Sequence, residues 1–235
     1  MKPVIGIVSR TEKNQNNTSL FYIFDDMRRS IIDLGGEVLM LLPVQNIDYY
    51  KTRIRDYQDF TLEEEKQIIK WLKMCDGIVL PGGSKMTNYD RYVLDYAIKN
   101  NIPILGICLG MQIMSCYNED IELKEINNSF INHKQETTDG VSHSVKISQN
   151  SLLYRILNKE EIMVNSFHTK QIIPNHLYKN VAYAEDGVIE AIEYDKNTFN
   201  IGLQWHPERN YKDDINSKLI LESFIKSCKE KIKEH

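Results

Sequence analysis

The first half of the chain alternates short apolar runs with segments of helical spacing. Each run is apolar throughout, which is typical of a strand buried on both faces of a sheet. The runs span residues 4–8, 38–42, 77–80 and 103–107. Because helical segments separate them, the pattern predicts a parallel sheet covered by helices on both faces.

The helical segments carry start and stop signals. Residues 22–34 hold apolar side chains at helical intervals, and two glycines follow as a stop. Thr61 and Glu64 have the spacing of a capping box, which opens a helix running to about residue 74. Two more helices are predicted, over 91–99 and from about residue 110.

The second half of the chain changes character. Residues 141–147 alternate apolar and polar positions, which is typical of a strand with one exposed face. Strand candidates at 188–193 and 199–204 flank a turn at 195–197, so this pair is predicted to form a hairpin. An amphipathic helix closes the chain. We therefore predict one α/β domain over residues 1–235, mostly parallel, with extra antiparallel strands in its C-terminal half.

Composition narrows the class of protein. The 235 residues are 42% hydrophobic and 26% charged, with a net charge of −4 and both signs interspersed. A nucleic-acid-binding surface is not expected, because that would need a basic patch. No apolar stretch approaches the roughly 20 residues of a membrane span, and the first apolar run is too short for a signal peptide. A cytoplasmic protein is predicted, with a homodimer possible on base rates.

The cysteines offer one candidate nucleophile. None of the four forms a CxxC pair, so free thiols are expected in a reducing compartment. Cys108 stands between Gly106 and Gly110, at the junction of a predicted strand and helix. This is the cysteine form of a nucleophile elbow, in which a sharp turn exposes the side chain at a helix N-terminus that favours a thiolate. The alternative is a Gly-rich turn holding a buried cysteine.

Acyl transfer would also need an oxyanion hole. The backbone N–H of Leu109 follows the nucleophile and is one natural donor. A second donor could come from residues 81–83, Pro-Gly-Gly, because these end the preceding strand at the same edge of the sheet. A plain turn is the alternative for this segment.

One histidine stands beside a carboxylate. His206 follows an apolar strand, and Glu208 lies two residues on, so both side chains face one crevice if the segment stays extended. A carboxylate fixes the imidazole tautomer and stabilises the imidazolium. A structural His-Pro turn is the alternative. His133, His143, His176 and His235 are interpreted as surface or structural residues.

The motifs together resemble a known family. GICLGMQ around Cys108, PGG at 81–83 and QWHPE at 204–208 are similar to class I glutamine amidotransferases, whose core is flavodoxin-like. The resemblance implies a triad of Cys108, His206 and Glu208. It also implies an oxyanion and substrate site that includes the following residues: Gly82, Gly83, Leu109 and Gln112.

Other segments resemble one group within that superfamily. KPVIGI at the start, VNSFH at 164–168 and DGVIEAIE at 186–193 are similar to the γ-glutamyl-γ-aminobutyrate hydrolases, also called peptidase C26. The resemblance places Ser166 and His168 on the substrate side. CLGMQ at 108–112, however, is closer to the ammonia-donating amidotransferases, so the leaving amine stays open.

The resemblance implies a cysteine-dependent hydrolase that cleaves a small γ-glutamyl compound through a glutamyl thioester. No cofactor or metal is expected, since the His and Cys residues lack ligand spacing. One alternative is a glutaminase subunit that supplies ammonia to a separate synthetase partner. A non-enzymatic binding protein and a peptidase acting on γ-linked folate tails are further alternatives on the same fold.

Overall fold

The computed structural model describes residues 1–53, 56–117, 123–127, 129–135, 140–174 and 176–233. Its strands are β1 (Val4–Val8), β2 (Arg10–Lys13), β3 (Ser19–Tyr22), β4 (Glu37–Leu41), β5 (Gly77–Leu80), β6 (Ile104–Ile107), β7 (Lys124–Glu125), β8 (His143–Ile147), β9 (Glu161–Val164), β10 (Lys170–Gln171), β11 (Lys179–Ala184), β12 (Ile189–Glu193) and β13 (Asn200–Leu203). Its helices are α1 (Asp25–Asp33), α2 (Leu62–Leu72), α3 (Asn88–Lys99), α4 (Leu109–Ser115), α5 (Leu152–Leu157), α6 (Pro207–Asn210) and α7 (Ile215–Ile232).

Nine of these strands form one sheet in the order β4-β1-β5-β6-β13-β12-β11-β8-β9. The pairs from β4 to β13 are parallel. The pairs from β13 to β9 are antiparallel. The predicted α/β fold is therefore confirmed, including the antiparallel extension. The two halves meet at β13, which pairs parallel with β6 and antiparallel with β12. The carboxyl ends of β6 and β13 lie side by side at this point.

Alternate side chains of the central strands supply two cores, one on each face of the sheet. Ile7 and Val79 pack with helices α1 and α7 on one face. Ile78 and Leu80 pack with helices α2, α3 and α4 on the other. Burial on both faces explains why these strands carry no polar alternation. The parallel half is thereby a rigid support for the loops at its carboxyl edge.

The sequence predicted the positions of several helices and strands correctly. Thr61 caps α2 as predicted, because its side chain accepts from the backbone N–H of Glu64 while Glu64 accepts from the N–H of Thr61 at 2.8 Å. The closing helix α7 and the hairpin of β12 and β13 also lie where predicted.

The predicted helix start at residue 22 is wrong. Strand β3 ends at Tyr22 and pairs antiparallel with β2, and α1 begins at Asp25. The apolar spacing of 22–34 continues into β3 by coincidence, and hairpin pairing prevails over the extra helical turn. This hairpin holds Arg10 at the carboxyl end of β1, a position that matters below.

The antiparallel extension also contains elements that the sequence patterns did not predict, namely α5, β9 and β11. Glu193 of β12 lies at the N-terminus of α5. Its carboxylate accepts from the backbone N–H groups of Leu152 and Leu153 at 2.8 and 2.7 Å. A carboxylate at a helix N-terminus satisfies unpaired donors and the helix dipole together.

Two further predictions concern the whole chain. All four cysteines are free thiols, as expected, and all are buried. Among the described residues, no helix combines the length and apolarity needed to cross a membrane.

Candidate active site

Cys108 occupies a strained turn between β6 and α4. Its φ of 52° and ψ of −105° lie outside the regions that residues with a side chain favour, and its N–H donates to the Leu203 carbonyl at 2.7 Å. A Cβ on Gly110 would lie 1.8 Å from the Leu80 carbonyl oxygen, and one on Gly106 would lie 2.2 Å from the sulfur of Met114. The flanking glycines are therefore required for the helix to pack this close to the sheet.

His206 and Glu208 form a buried pair directly after β13. His206 Nδ1 lies 2.8 Å from Glu208 Oε1, with both side chains about 5% exposed or less. The segment does not stay extended, since Pro207–Asn210 forms the short helix α6. Proline suits the first helical position because its φ is preset. The two side chains still meet because His206 precedes the helix with a φ of −114° and a ψ of 80°.

Asn165 holds the backbone of His206 on both sides. Its side-chain Nδ2 donates to the His206 carbonyl, and its Oδ1 accepts from the His206 N–H, each at 2.8 Å. The sequence patterns gave Asn165 no role, although it lies within the VNSFH segment. Its signal was weak, because the two residues are far apart in the chain and no spacing connects them.

Gly82 lies between the imidazole and the thiol side chain. A Cβ on Gly82 would approach His206 Cε1 to 2.9 Å and Cys108 Cβ to 3.6 Å. Burial lowers the pKa of His206, but the Glu208 carboxylate and the Cys108 side chain outweigh it and raise that pKa to about 10. Within the described residues His206 Nε2 has no hydrogen-bond partner. The imidazolium therefore keeps a proton available next to Cys108.

Arg10 binds the backbone carbonyls of the Pro-Gly-Gly segment. Its Nη2 donates to the Pro81 carbonyl at 2.7 Å, and its Nε lies 3.1 and 3.2 Å from the carbonyls of Pro81 and Gly82. Arg10 Nη1 pairs with Asp90 at 2.5 Å, and both side chains are almost completely buried. The sequence patterns did not point to Arg10, although a charged residue two positions after a buried strand was an available signal.

The geometry of a trans peptide gives this contact a chemical consequence. In a trans peptide the C=O and the following N–H point in opposite directions. Since Arg10 binds the Gly82 carbonyl, the N–H of Gly83 points away from Arg10. The N–H of Leu109, at the first position of α4, has no intrahelical acceptor. The N–H of Gly83 is thus not directed at Arg10, and the N–H of Leu109 is not used within its own helix. Neither contact occupies the predicted oxyanion donors.

A cleft of about 310 Å³ opens over Cys108. Its lining includes five of the predicted site residues, which are Gly83, Cys108, Leu109, Gln112 and His168. Ser166 is not among the lining residues, because its hydroxyl donates to the His133 carbonyl at 2.8 Å. Lys134 and Lys170 are also lining residues, and the Lys170 ammonium lies 3.7 Å from Glu125 Oε1. The site therefore offers a nucleophile in a cleft whose lining includes two lysines.

The Peptidase C26 family model matches residues 85–208, a span that includes Cys108, His206 and Glu208. The chain belongs to the Peptidase C26 family. Membership confirms the resemblance noted in the sequence and makes the protein a glutamine amidotransferase-like hydrolase.

Relatives of this C26 protein have several named activities. YvdE of Lactococcus lactis, described as glutamine amidotransferase-like, is 30% identical over 226 residues, which cover 84% of this chain and 86% of YvdE. PuuD, the γ-glutamyl-γ-aminobutyrate hydrolase of Escherichia coli, is 26% identical over 208 residues, covering 74% of this chain and 80% of PuuD. The CTP synthase of Methanosphaera stadtmanae is 28% identical over 193 residues, covering 68% of this chain but 35% of the synthase.

Two solved structures share the C26 protein's fold. A Thermoplasma acidophilum protein described as a GMP synthase subunit superposes with a TM-score of 0.66 at 17% identity, over 100% of both chains. The glutaminase domain of Trypanosoma brucei CTPS, with bound acivicin, gives a TM-score of 0.66 at 16% identity, over 97% of this chain and 94% of the domain. At these identities the likeness concerns the fold.

The C26 protein also buries a histidine cluster that the sequence patterns did not reveal. His133, His143 and His168 surround Glu190, with side chains no more than 5% exposed. His133 and His143 are therefore not surface residues, whereas His176 is exposed. The prediction for His235 falls outside the described residues. Glu190, a carboxylate in the interior of the buried strand β12, was the signal that could have pointed to this cluster.

Proposed function

We propose that the protein hydrolyses the γ-glutamyl amide bond of a small γ-glutamyl compound to glutamate and an amine. The observation that carries the proposal is the convergence of Cys108, on its strained turn, with the buried His206–Glu208 pair. The similarity to PuuD, which acts on γ-glutamyl-γ-aminobutyrate, supports this class of substrate.

The first half of the reaction forms a thioester. The Cys108 thiolate attacks the γ-carbonyl carbon, and the carbonyl electron pair moves to oxygen, where the N–H groups of Gly83 and Leu109 donate to it. The intermediate collapses as the C–N bond breaks. His206 gives its proton to the departing nitrogen, so the amine leaves neutral. Glu208 keeps the imidazole oriented throughout.

The second half of the reaction releases glutamate. Neutral His206 takes a proton from a water molecule, whose oxygen attacks the thioester carbonyl. The C–S bond then breaks, which restores the Cys108 thiolate while His206 stays as the imidazolium. The new γ-carboxylic acid gives its proton to solvent as glutamate leaves. In this proposal the α-carboxylate of the glutamyl group is attracted by Lys134, and by Lys170, which also pairs with Glu125 at 3.7 Å. No other reactant is needed.

The ammonia-donor alternative also has an observation in its favour. The similarity to CTP synthase covers a third of that enzyme, and a CTPS glutaminase domain has the same fold. Under this alternative the substrate is glutamine, and the ammonia passes to a synthetase on a separate chain.

Glutamate release from a substrate panel tests the proposal. The panel contains γ-glutamyl-γ-aminobutyrate, γ-glutamyl-putrescine, other γ-glutamyl amides and glutamine, and the Cys108→Ala protein is the blank. We expect release from at least one γ-glutamyl amide at a kcat/KM well above that for glutamine. Strong turnover of glutamine alone would favour the ammonia-donor alternative. Release from none of the compounds by folded protein would refute the proposal.

Replacing Glu208 by glutamine is expected to move the alkaline limb of the pH–rate profile to lower pH. The imidazolium of His206 is the acid, so activity falls as pH rises through its pKa, which is about 10 in the native protein. Without the Glu208 carboxylate the imidazolium is less stable, its pKa drops, and the decline begins earlier. The logarithm of kcat/KM against pH measures this, at pH values where circular dichroism shows folded protein.

Glu185→Gln is the matched control, since Glu185 is exposed. Its alkaline limb should coincide with that of the native protein. An unshifted limb in Glu208→Gln would contradict the role given to Glu208.

A further inference from the structure

The buried histidine cluster has an unusual arrangement of donors and acceptors. His133 Nδ1, His143 Nε2 and His168 Nε2 lie 3.3, 3.6 and 3.5 Å from one atom, Oε1 of Glu190. Within the described residues these three nitrogens and both Glu190 oxygens lack a hydrogen-bond partner. Buried polar atoms normally have partners, so five converging atoms without one require an explanation.

The opposite nitrogen of each ring shows where its proton resides. His133 Nε2 lies 2.9 Å from Asp186 Oδ2, a carboxylate oxygen. His143 Nδ1 and His168 Nδ1 lie 3.2 and 3.0 Å from the backbone carbonyls of residues 144 and 170. These oxygens only accept, so each imidazole donates there. In its neutral form, which is the form that binds a metal, each ring presents the lone pair of its other nitrogen to the Glu190 carboxylate.

The distances between the histidine nitrogens and Glu190 also fit ligands of a shared cation better than hydrogen bonds. A charge-assisted N–H···O⁻ hydrogen bond measures about 2.7–2.9 Å. The distances to Glu190 are 3.3–3.6 Å. A tetrahedral zinc ion with bonds of about 2.0–2.1 Å separates its ligand atoms by about 3.3–3.4 Å. The donor atoms of His133, His143 and Glu190 all lie within 4.8 Å of one another.

We propose that His133, His143 and Glu190 form a binding site for a divalent transition-metal ion of the zinc type, with His168 Nε2 nearby at 3.5 Å from Glu190 Oε1. Imidazole nitrogen and carboxylate oxygen are ligands that zinc accepts. A divalent cation among neutral imidazoles balances the charges of Glu190 and Asp186. The hydrogen bonds from the rings to Asp186 and to backbone carbonyls are the outer contacts that commonly orient metal-binding histidines.

The metal would join separate parts of the antiparallel half. His143 lies on β8, Glu190 on β12, and His133 on the segment before β8. His168 and Lys134 line the catalytic cleft, so this site supports one wall of that cleft. We assign the ion the role of fixing this wall. The inference does not depend on the substrate proposed for Cys108.

Metal content tests the site directly. The Cys108→Ala protein is used, so that the catalytic thiol cannot bind zinc. After dialysis against a chelator and reconstitution with zinc, we expect one equivalent per chain by plasma mass spectrometry. Zinc should also raise the thermal unfolding midpoint of the chelator-treated protein.

Three variants in that background locate the ion. Glu190→Gln keeps the side-chain shape and should lose both the bound zinc and the zinc-dependent rise in midpoint. Asp186→Asn alters the outer contact of His133 and leaves an amide oxygen that can accept from Ser129 or Val188, so it should weaken zinc binding by about 10- to 100-fold. His176→Ala is the matched control, because His176 is exposed and outside the cluster, and it should bind as before.

Two results would overturn the inference. The first is folded Cys108→Ala protein that binds no zinc and shows no shift in midpoint, which would make the cluster a set of shared protons. The second is stoichiometric zinc in Glu190→Gln at unchanged affinity, which would place the ion elsewhere.

Discussion

Changing Cys108 to alanine is expected to reduce turnover by roughly 10⁴-fold or more while the protein stays folded. The reaction proposed here passes through a bond to sulfur, and alanine cannot form it. The substitution leaves a side chain on the strained turn, so the packing of α4 against the sheet is retained. Steady-state glutamate release and the thermal midpoint together measure the two effects.

Cys116→Ala is the control for this variant. Cys116 is also buried, but it follows the far end of α4 from Cys108. Its replacement should leave kcat within a few-fold of the native value. Retention of a tenth of the native activity by Cys108→Ala would exclude covalent catalysis at this residue.

Replacing Arg10 by methionine is expected to impair both stability and turnover. Asp90 is fully buried and would lose its charged partner, which costs about 3–5 kcal/mol in the free energy of unfolding. The carbonyls of Pro81 and Gly82 would lose their donors, and the Gly83 N–H its fixed direction. Loss of one oxyanion donor lowers kcat by about 10²- to 10³-fold. Denaturant unfolding and steady-state kinetics measure the two effects.

The double variant Arg10→Met/Asp90→Asn separates these effects. Asparagine removes the unpaired charge and can still accept from Thr87, which donates to Asp90 at 2.8 and 2.9 Å. We expect most of the stability to return while kcat stays low and KM changes little. A kcat that recovers together with stability would show that Arg10 only supports the fold.

The fold was predictable where local signals and burial agree. The strands of the parallel half are apolar because both of their faces are covered, and α2 carries its own capping box. Strands β2 and β3 were not predictable in this way. Arg10–Lys13 is mostly polar, and Ser19–Tyr22 runs into the helical spacing of α1, so only tertiary pairing defines the hairpin.

The residues of the site divide in the same way, into those that local motifs predicted and those that only tertiary contacts define. Cys108, His206 and Glu208 stand in short motifs, and the structure places them close together. Arg10, Asn165 and the cluster around Glu190 depend on contacts between segments far apart in the chain. Single-chain spacing carries no information about such contacts. The DGVIEAIE segment illustrates this, because Glu190 faces the histidines whereas Glu193 caps α5.

The order of β6 and β13 along the chain decides when the parts of the proposed site are made during synthesis. The strand leading to the thiol belongs to the half of the chain that is made first. His206 follows β13, the last strand that the structure describes. Since the N-terminal portion emerges first during synthesis, Cys108 leaves the ribosome before His206, its proposed acid and base, is made. A nascent or truncated chain therefore carries a thiol without that partner, and the proposed site is complete only when the last strand enters the sheet.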